Sequence, residues 1–203
     1  PVVDVDKSPY NNSRSFGGNS STVIEIGKMF LDEHQKRGLV CTLKHFPGRG
    51  SGTQYDVTNR YDKRIDLAPF KKLCRHNAVG LVMVSTLTFP EIDPFLPAHK
   101  SEKVIKLLRS LGYKKVIITD DLSDAKLASI FEEELLQEVL ALIEAGNDML
   151  LFSNSGMNYN SNLSVQLQRV VRKIIDEDLV SERRIEASFR RILDVKQNSG
   201  IEP

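Results

Sequence analysis

The chain has 203 residues, 40% hydrophobic and 27% charged, with 28 Lys+Arg against 27 Asp+Glu. That apolar fraction supports a real core and excludes intrinsic disorder, and the length fits one domain or two small ones. A net charge of +1 leaves no electrostatic footprint for nucleic acid or an anionic membrane.

The two cysteines, Cys41 and Cys74, are too few for a disulfide scaffold or a four-cysteine zinc site. Both adjoin apolar runs and read as buried free thiols. No apolar stretch approaches the ~18 residues of a membrane span. No signal peptide is visible, although a start at Pro1 without Met allows for a targeting segment upstream.

One pattern recurs five times along the chain: a short apolar, β-branched run, a polar loop, then a helical stretch. The runs are 1–5, 40–46, 79–85, 115–119 and 148–152, and they read as strands buried on both faces. After the first run, Thr22 with Glu25 offers a capping box, and the helix that follows ends near Gly38 with Ile26, Met29 and Phe30 on its buried stripe. The second helix, around 68–76, is short. The third runs over about 101–111, with Val104, Leu107, Leu108 and Leu111 at i, i+3, i+4, i+7 and Gly112 as its stop. The fourth covers about 131–144, with Leu135, Leu136, Val139 and Ile143 on one face. The fifth carries Val170, Val171, Ile174 and Ile175. The last, 182–197, carries Ile185, Phe189, Ile192 and Leu193. His34 and His76 fall on helices and are expected to be exposed.

Strands alternating with helices every ~30–40 residues predict βαβ units and a parallel sheet. Right-handed crossovers leave an open doubly wound sheet or a closed (β/α)8 barrel. Five units cannot close eight strands, so alternation alone favours the open sheet.

In either architecture the chemistry sits at the carboxyl ends of the strands. The polar groups there are Asp4 and Asp6, Lys44 and His45, Ser85 and Thr86, Asp120 and Asp121, and Ser153 and Asn154. Lys44-His45 stands out inside an apolar strand, with Pro47, Gly48 and Gly50 turning the chain away. Asp120-Asp121 ends an apolar run with no cation near it in sequence. Each has a plainer reading. His45 can be bonded to backbone, an Asp at a strand end can cap the next helix, and Asp4 and Asp6 can be loop carboxylates accepting backbone N–H groups. The glycine-rich segments match no phosphate loop, and there is no nucleophile elbow. His34, His45, His76 and His99 lack metal-ligand spacing.

The segments Pro1-Val2-Val3-Asp4-Val5, Arg14-Ser15-Phe16-Gly17, Lys44-His45-Phe46-Pro47-Gly48 and Thr119-Asp120-Asp121-Leu122 occur in that order. They resemble the catalytic domain of glycoside hydrolase family 3, in its β-N-acetylhexosaminidase branch. Asp93-Pro94 with Pro97, Ala145-Gly146 with Asp148-Met149-Leu150-Leu151, and the run from Ser181 to Leu193 extend the likeness from Pro1 to about Gln197, nearly the whole chain, which reads as one partial catalytic domain over 1–203. The resemblance implies a (β/α)8 TIM-barrel-type α/β fold, here incomplete, with about five βα units plus a C-terminal helix. The front of the barrel would be supplied by a missing N-terminal part or by an oligomer. It implies a retaining glycosidase acting on β-linked N-acetylhexosamine of the cell-wall type, with Asp120 as nucleophile and Arg14, Lys44 and His45 as substrate-binding groups. No metal or organic cofactor is implied, and the partner is a carbohydrate. Asp121 becomes a structural neighbour, and Asp4 matches a family position without a direct role. Relatives are cytoplasmic, or exported with a leader.

One departure matters. The branch takes its general acid/base from an Asp-Ser-His loop after its Lys-His-Phe-Pro-Gly-His-Gly motif. Here the motif continues Arg49-Gly50, and no His follows as far as Asn59. Either Asp56 is the loop Asp and Thr58 replaces the His, or Asp56-Val57-Thr58 matches a later family segment and the loop pair is deleted. The second alignment keeps the spacing from Leu67 to Phe70. Neither Thr58 nor Arg49 can share a proton near neutral pH. The alternative function is therefore a catalytically impaired relative that binds amino sugars without turnover.

Overall fold

The computed structural model describes residues 1–5, 15–48, 61–123, 130–155 and 159–200. Helix α1 (Ser20–Gln35) leads into strand β1 (Cys41–Phe46), and the short α2 (Leu67–Leu73) leads into β2 (Val79–Val84). A two-stranded antiparallel hairpin, β3 (Thr88–Phe89) and β4 (Asp93–Pro97), interrupts the alternation. A 3₁₀ turn, Ala98–Lys100, then joins it to α3 (Glu102–Ser110). After β5 (Val116–Asp121) come α4 (Glu132–Ala145), β6 (Met149–Leu151), α5 (Leu163–Asp176) and α6 (Glu182–Gln197).

The sheet runs β1-β2-β5-β6, and every pair is parallel. The expected parallel α/β architecture is therefore present, with four ladder strands among the described residues. The first run does not extend the ladder as a full strand: among the described residues it makes one parallel bridge, Val2 to Lys44, beside β1.

Alternation along the strands sorts their side chains. Leu43, Val82, Val84 and Ile117 point under the helices and are fully buried. Thr42, Lys44, Leu81, Met83, Ile118 and Asp120 share the other face, which is only half covered, and Met149 there is exposed. A closed barrel would fill that inner face with side chains from further strands. One apolar cluster joins α1, α2 and α3 to the sheet through Val23, Leu31, Phe70 and Leu108. A second lies between α4 and α5, around Leu136, Val139, Leu142 and Val170.

Several sequence expectations are corrected. Helix α1 starts earlier than Thr22: Asn19 is its cap and accepts the Ser21 N–H. Its buried residues are Val23, Gly27 and Leu31, while Ile26 and Met29 are exposed. In α5, Val170 and Ile174 are buried, but Val171 and Ile175 face solvent. Helix α6 has the expected bounds but buries none of its residues, and Ile185 and Phe189 are exposed. His34 is half-buried and stacks on Phe30, and His76 lies in a turn with Nε2 2.9 Å from Asp32 Oδ1. Cys41 and Cys74 are buried free thiols, as expected.

Candidate active site at the carboxyl ends of the strands

Two strand ends and the first apolar run meet at one point. Asp4 lies in that run, His45 near the end of β1, and Asp120 near the end of β5. Asp4 Oδ1 accepts the backbone N–H of His45 at 2.9 Å, and Asp4 Oδ2 lies 2.7 Å from His45 Nδ1. The other ring nitrogen, Nε2, is 3.8 Å from Asp120 Oδ2. The side chains of Asp4 and His45 are 3% and 8% exposed, whereas that of Asp120 is 33% exposed. The geometry is a buried carboxylate, a buried imidazole and an accessible carboxylate, in that order.

Local structure sets this arrangement. The register of β1 slips between Leu43 and Phe46, and the Lys44–His45 and Phe46–Pro47 peptide bonds there are both cis. Asp120 Oδ1 accepts the backbone N–H of Asp121 at 2.9 Å, which leaves Oδ2 toward His45. Gly48 then turns the chain with φ +123; a Cβ on it would sit 2.6 Å from that of Asp66.

The sequence-predicted residues separate cleanly. His45 and Asp120 come together. Lys44 stands on the same half-covered inner face as Asp120, beside Met83 and Thr42 in an open hollow of about 300 Å³. Arg14 lies outside the described residues, as do Asp6, Arg49, Asp56 and Thr58. Asp121 turns away from the site: it accepts the N–H groups of Ser123 and Ser153 and the Ser153 hydroxyl. Burial pushes its carboxyl up, but those hydrogen bonds outweigh the burial and hold it below the usual carboxylate range. Among the described residues neither Asp120 nor Asp121 caps a helix, and the cap position of α4 is Phe131.

Two residues carry more than the sequence assigned them. Asp4 was read as lacking a direct role, yet it holds the ring of His45. The signal was present, because Asp4, like Lys44-His45, is a polar side chain within an apolar run. His99 lacks metal-ligand spacing in the sequence. It is 6% exposed, its Nδ1 has no hydrogen-bond partner among the described residues, and its backbone N–H bonds Ser85 O at the end of β2. Burial pushes its ring down to about 4, with Lys100 adding to the shift and Glu138 and Asp120 opposing it. No sequence feature marks it beyond a flanking proline.

A roomier hollow of about 560 Å³ lies at the amino ends of the strands, beside Val40, Gly80 and Lys115. In parallel α/β folds that is the end away from the chemistry. The accessible Asp120 at the carboxyl ends is therefore a better candidate for the site than the larger hollow.

Residues 1–195 match the Glycosyl hydrolase family 3 N terminal domain. The chain belongs to glycosyl hydrolase family 3. A family 3 β-N-acetylglucosaminidase of known structure, from Paenibacillus sp. str. FPU-7, superposes with a TM-score of 0.84 at 29% identity, over 98% of this chain and 39% of that one. A beta-hexosaminidase of Idiomarina loihiensis is 31% identical over 94% of this chain and 62% of its own length. A beta-N-acetylglucosaminidase/beta-glucosidase of Cellulomonas fimi is 27% identical over 99% of this chain and 38% of its own. The chain thus spans less than two thirds of the length of these relatives, and its parallel sheet, four-stranded among the described residues, belongs to a TIM-barrel-type fold.

Proposed function

We propose that this chain carries the nucleophile side of a retaining glycoside hydrolase acting on β-linked N-acetylhexosamine, with Asp120 as the nucleophile. The observation that carries this reading is the accessible Asp120 carboxylate at the carboxyl end of β5, beside the buried Asp4–His45 pair, in a family 3 chain. In the reaction, Asp120 attacks the anomeric carbon, the glycosidic oxygen leaves with a proton, and a glycosyl ester forms that water then hydrolyses. A carboxylate fixed at a strand end meets a bound sugar at a set distance. Arg14, Lys44 and His45 orient the ring through its hydroxyls. The substrate class follows the names of the relatives, beta-hexosaminidase and beta-N-acetylglucosaminidase.

The missing part of the barrel comes from an N-terminal segment of the natural protein or from a second copy. The half-covered inner face of the sheet supports this. The proton for the leaving oxygen then comes from that part or from a second domain, because the sequence after Gly48 holds no His as far as Asn59.

The absent loop His favours a second reading, a relative that binds amino sugars without turnover. Hydrolysis of a nitrophenyl N-acetyl-β-glucosaminide by the natural protein and by an Asp120→Ala variant separates the two. The nucleophile reading expects turnover that falls at least ~10³-fold in the variant, as losses of covalent machinery do. Sugar binding by a folded wild type that turns nothing over would select the second reading.

A further inference from the structure

We propose that Asp4 is a positioning residue. It fixes which nitrogen of His45 carries hydrogen and turns Nε2 to Asp120 and the bound sugar. This rests on the reading of Asp120 and His45 as the sugar site. It concerns a pair of residues 41 apart, one in the first apolar run and one near the end of the neighbouring β1, not the loop Asp and His that the family resemblance leads one to expect.

The chemistry follows from the contacts. An ionised carboxylate only accepts hydrogen bonds. With Oδ2 2.7 Å from Nδ1, the hydrogen therefore sits on Nδ1. Oδ1 takes the backbone N–H of the same residue at 2.9 Å, so Asp4 grips His45 at two points and its ring has one orientation. Both side chains are almost fully buried, and a buried carboxylate without donors is costly. Each therefore holds the other in place. Nε2 is the nitrogen left for function. At 3.8 Å from Asp120 Oδ2 it is too far for a direct hydrogen bond but near enough for a sugar hydroxyl to touch both. An imidazole whose outward nitrogen is set by a carboxylate behind it is the arrangement that orients a ring against a reacting group.

The discriminating variant is Asp4→Asn, which keeps the size and turns one acceptor into a donor. The backbone N–H of His45 keeps the amide oxygen, the amide NH₂ meets Nδ1, and the ring hydrogen moves to Nε2. A two-bond ¹H–¹⁵N spectrum of the protein reads this directly. The expected result is hydrogen on Nδ1 in the wild type and on Nε2 in the variant. On the nitrophenyl N-acetyl-β-glucosaminide, kcat falls ~10²-fold or more while KM stays within a few-fold. N-acetylglucosamine added to the wild type shifts the Nε2 resonance, a readout that needs no turnover. Hydrogen on Nε2 alone in the wild type, or no shift with sugar, overturns the proposal. So does a folded Asp4→Asn protein with unchanged kcat, because a purely structural pair would cost melting temperature and leave kcat per folded molecule intact. Absence of turnover with the sugar shift retained would remove the hydrolase reading and keep Asp4 in its role.

Discussion

His99 is shut against the end of β2 with an unpartnered ring nitrogen, and it is neutral in the folded chain. Its ring is lowered to about 4, against the ordinary ~6.5 it regains on unfolding. Between those values the unfolded chain binds one more proton, so stability rises with pH across that window. The contribution is complete above about pH 6.5 and is lost as the pH falls toward 4. The shift amounts to about 3 kcal/mol. Chemical unfolding from pH 7 to 4 should show a His99→Gln variant losing less stability than the wild type, by up to that amount. Equal losses would place the acid sensitivity elsewhere.

The same residue scale shows what the sequence could and could not display. Lys44-His45 and Asp120 were legible because polar side chains inside apolar strand runs need a reason to be there. The link from Asp4 to His45 was not legible, because it joins residues far apart in the chain and depends on a register slip in β1. Asp121 matches its expected structural place, through bonds to Ser123 and Ser153 rather than by capping a helix.

At the scale of elements, one carboxylate ties three of them together. Asp148, just before β6, has a side chain with no exposure. It meets Arg109 of α3 at 2.8 Å and Arg191 of α6 at 2.9 Å, and it accepts the Ile117 N–H of β5 at 3.0 Å and the Ser188 hydroxyl of α6 at 2.7 Å. Arg184 is a third cation at 3.6 Å. Helix α6 buries none of its residues, so this cluster is a principal tether to the sheet. Removing one partner of a buried ion pair typically costs ~3–5 kcal/mol. Asp148→Ala should lose that much in urea unfolding, with helical signal from α6 fraying first. A loss under ~1 kcal/mol would contradict the tether.

Helix bounds for 101–111, 131–144 and 182–197 were readable from periodicity and stop signals, to within a residue or two. Faces were less so. The segment 23–31 holds Val23, Ile24, Ile26, Met29, Phe30 and Leu31 around most of the circumference, so more than one stripe fits. Packing of Gly27 against Leu73 of α2 decides it, since a Cβ there would come within 2.8 Å. The hairpin of β3 and β4 escaped notice because its strands are two and five residues long and one carries two prolines.

At the scale of the whole molecule, alternation could not distinguish an open sheet from part of a barrel. Family motifs pointed to the barrel, and the fold agrees. The sheet buries its helix side fully and leaves Leu81, Met83 and Ile118 half covered on the other. Half-covered apolar surface of this kind, with Met149 exposed beside it, drives association. The 203-residue chain is expected to self-associate and to bind an apolar dye. A monomeric, dye-silent chain by light scattering would contradict this account of the inner face.

The central claim is that Asp120 forms a covalent bond to the sugar. The most direct measurement incubates the natural protein with an activated 5-fluoro N-acetylglucosaminide, which slows breakdown of the glycosyl ester, and maps the modified residue by peptide mass spectrometry. The account predicts one sugar on the peptide containing Asp120, absent from an Asp120→Ala variant. A sugar attached to another carboxylate, or turnover with no covalent species, would contradict it.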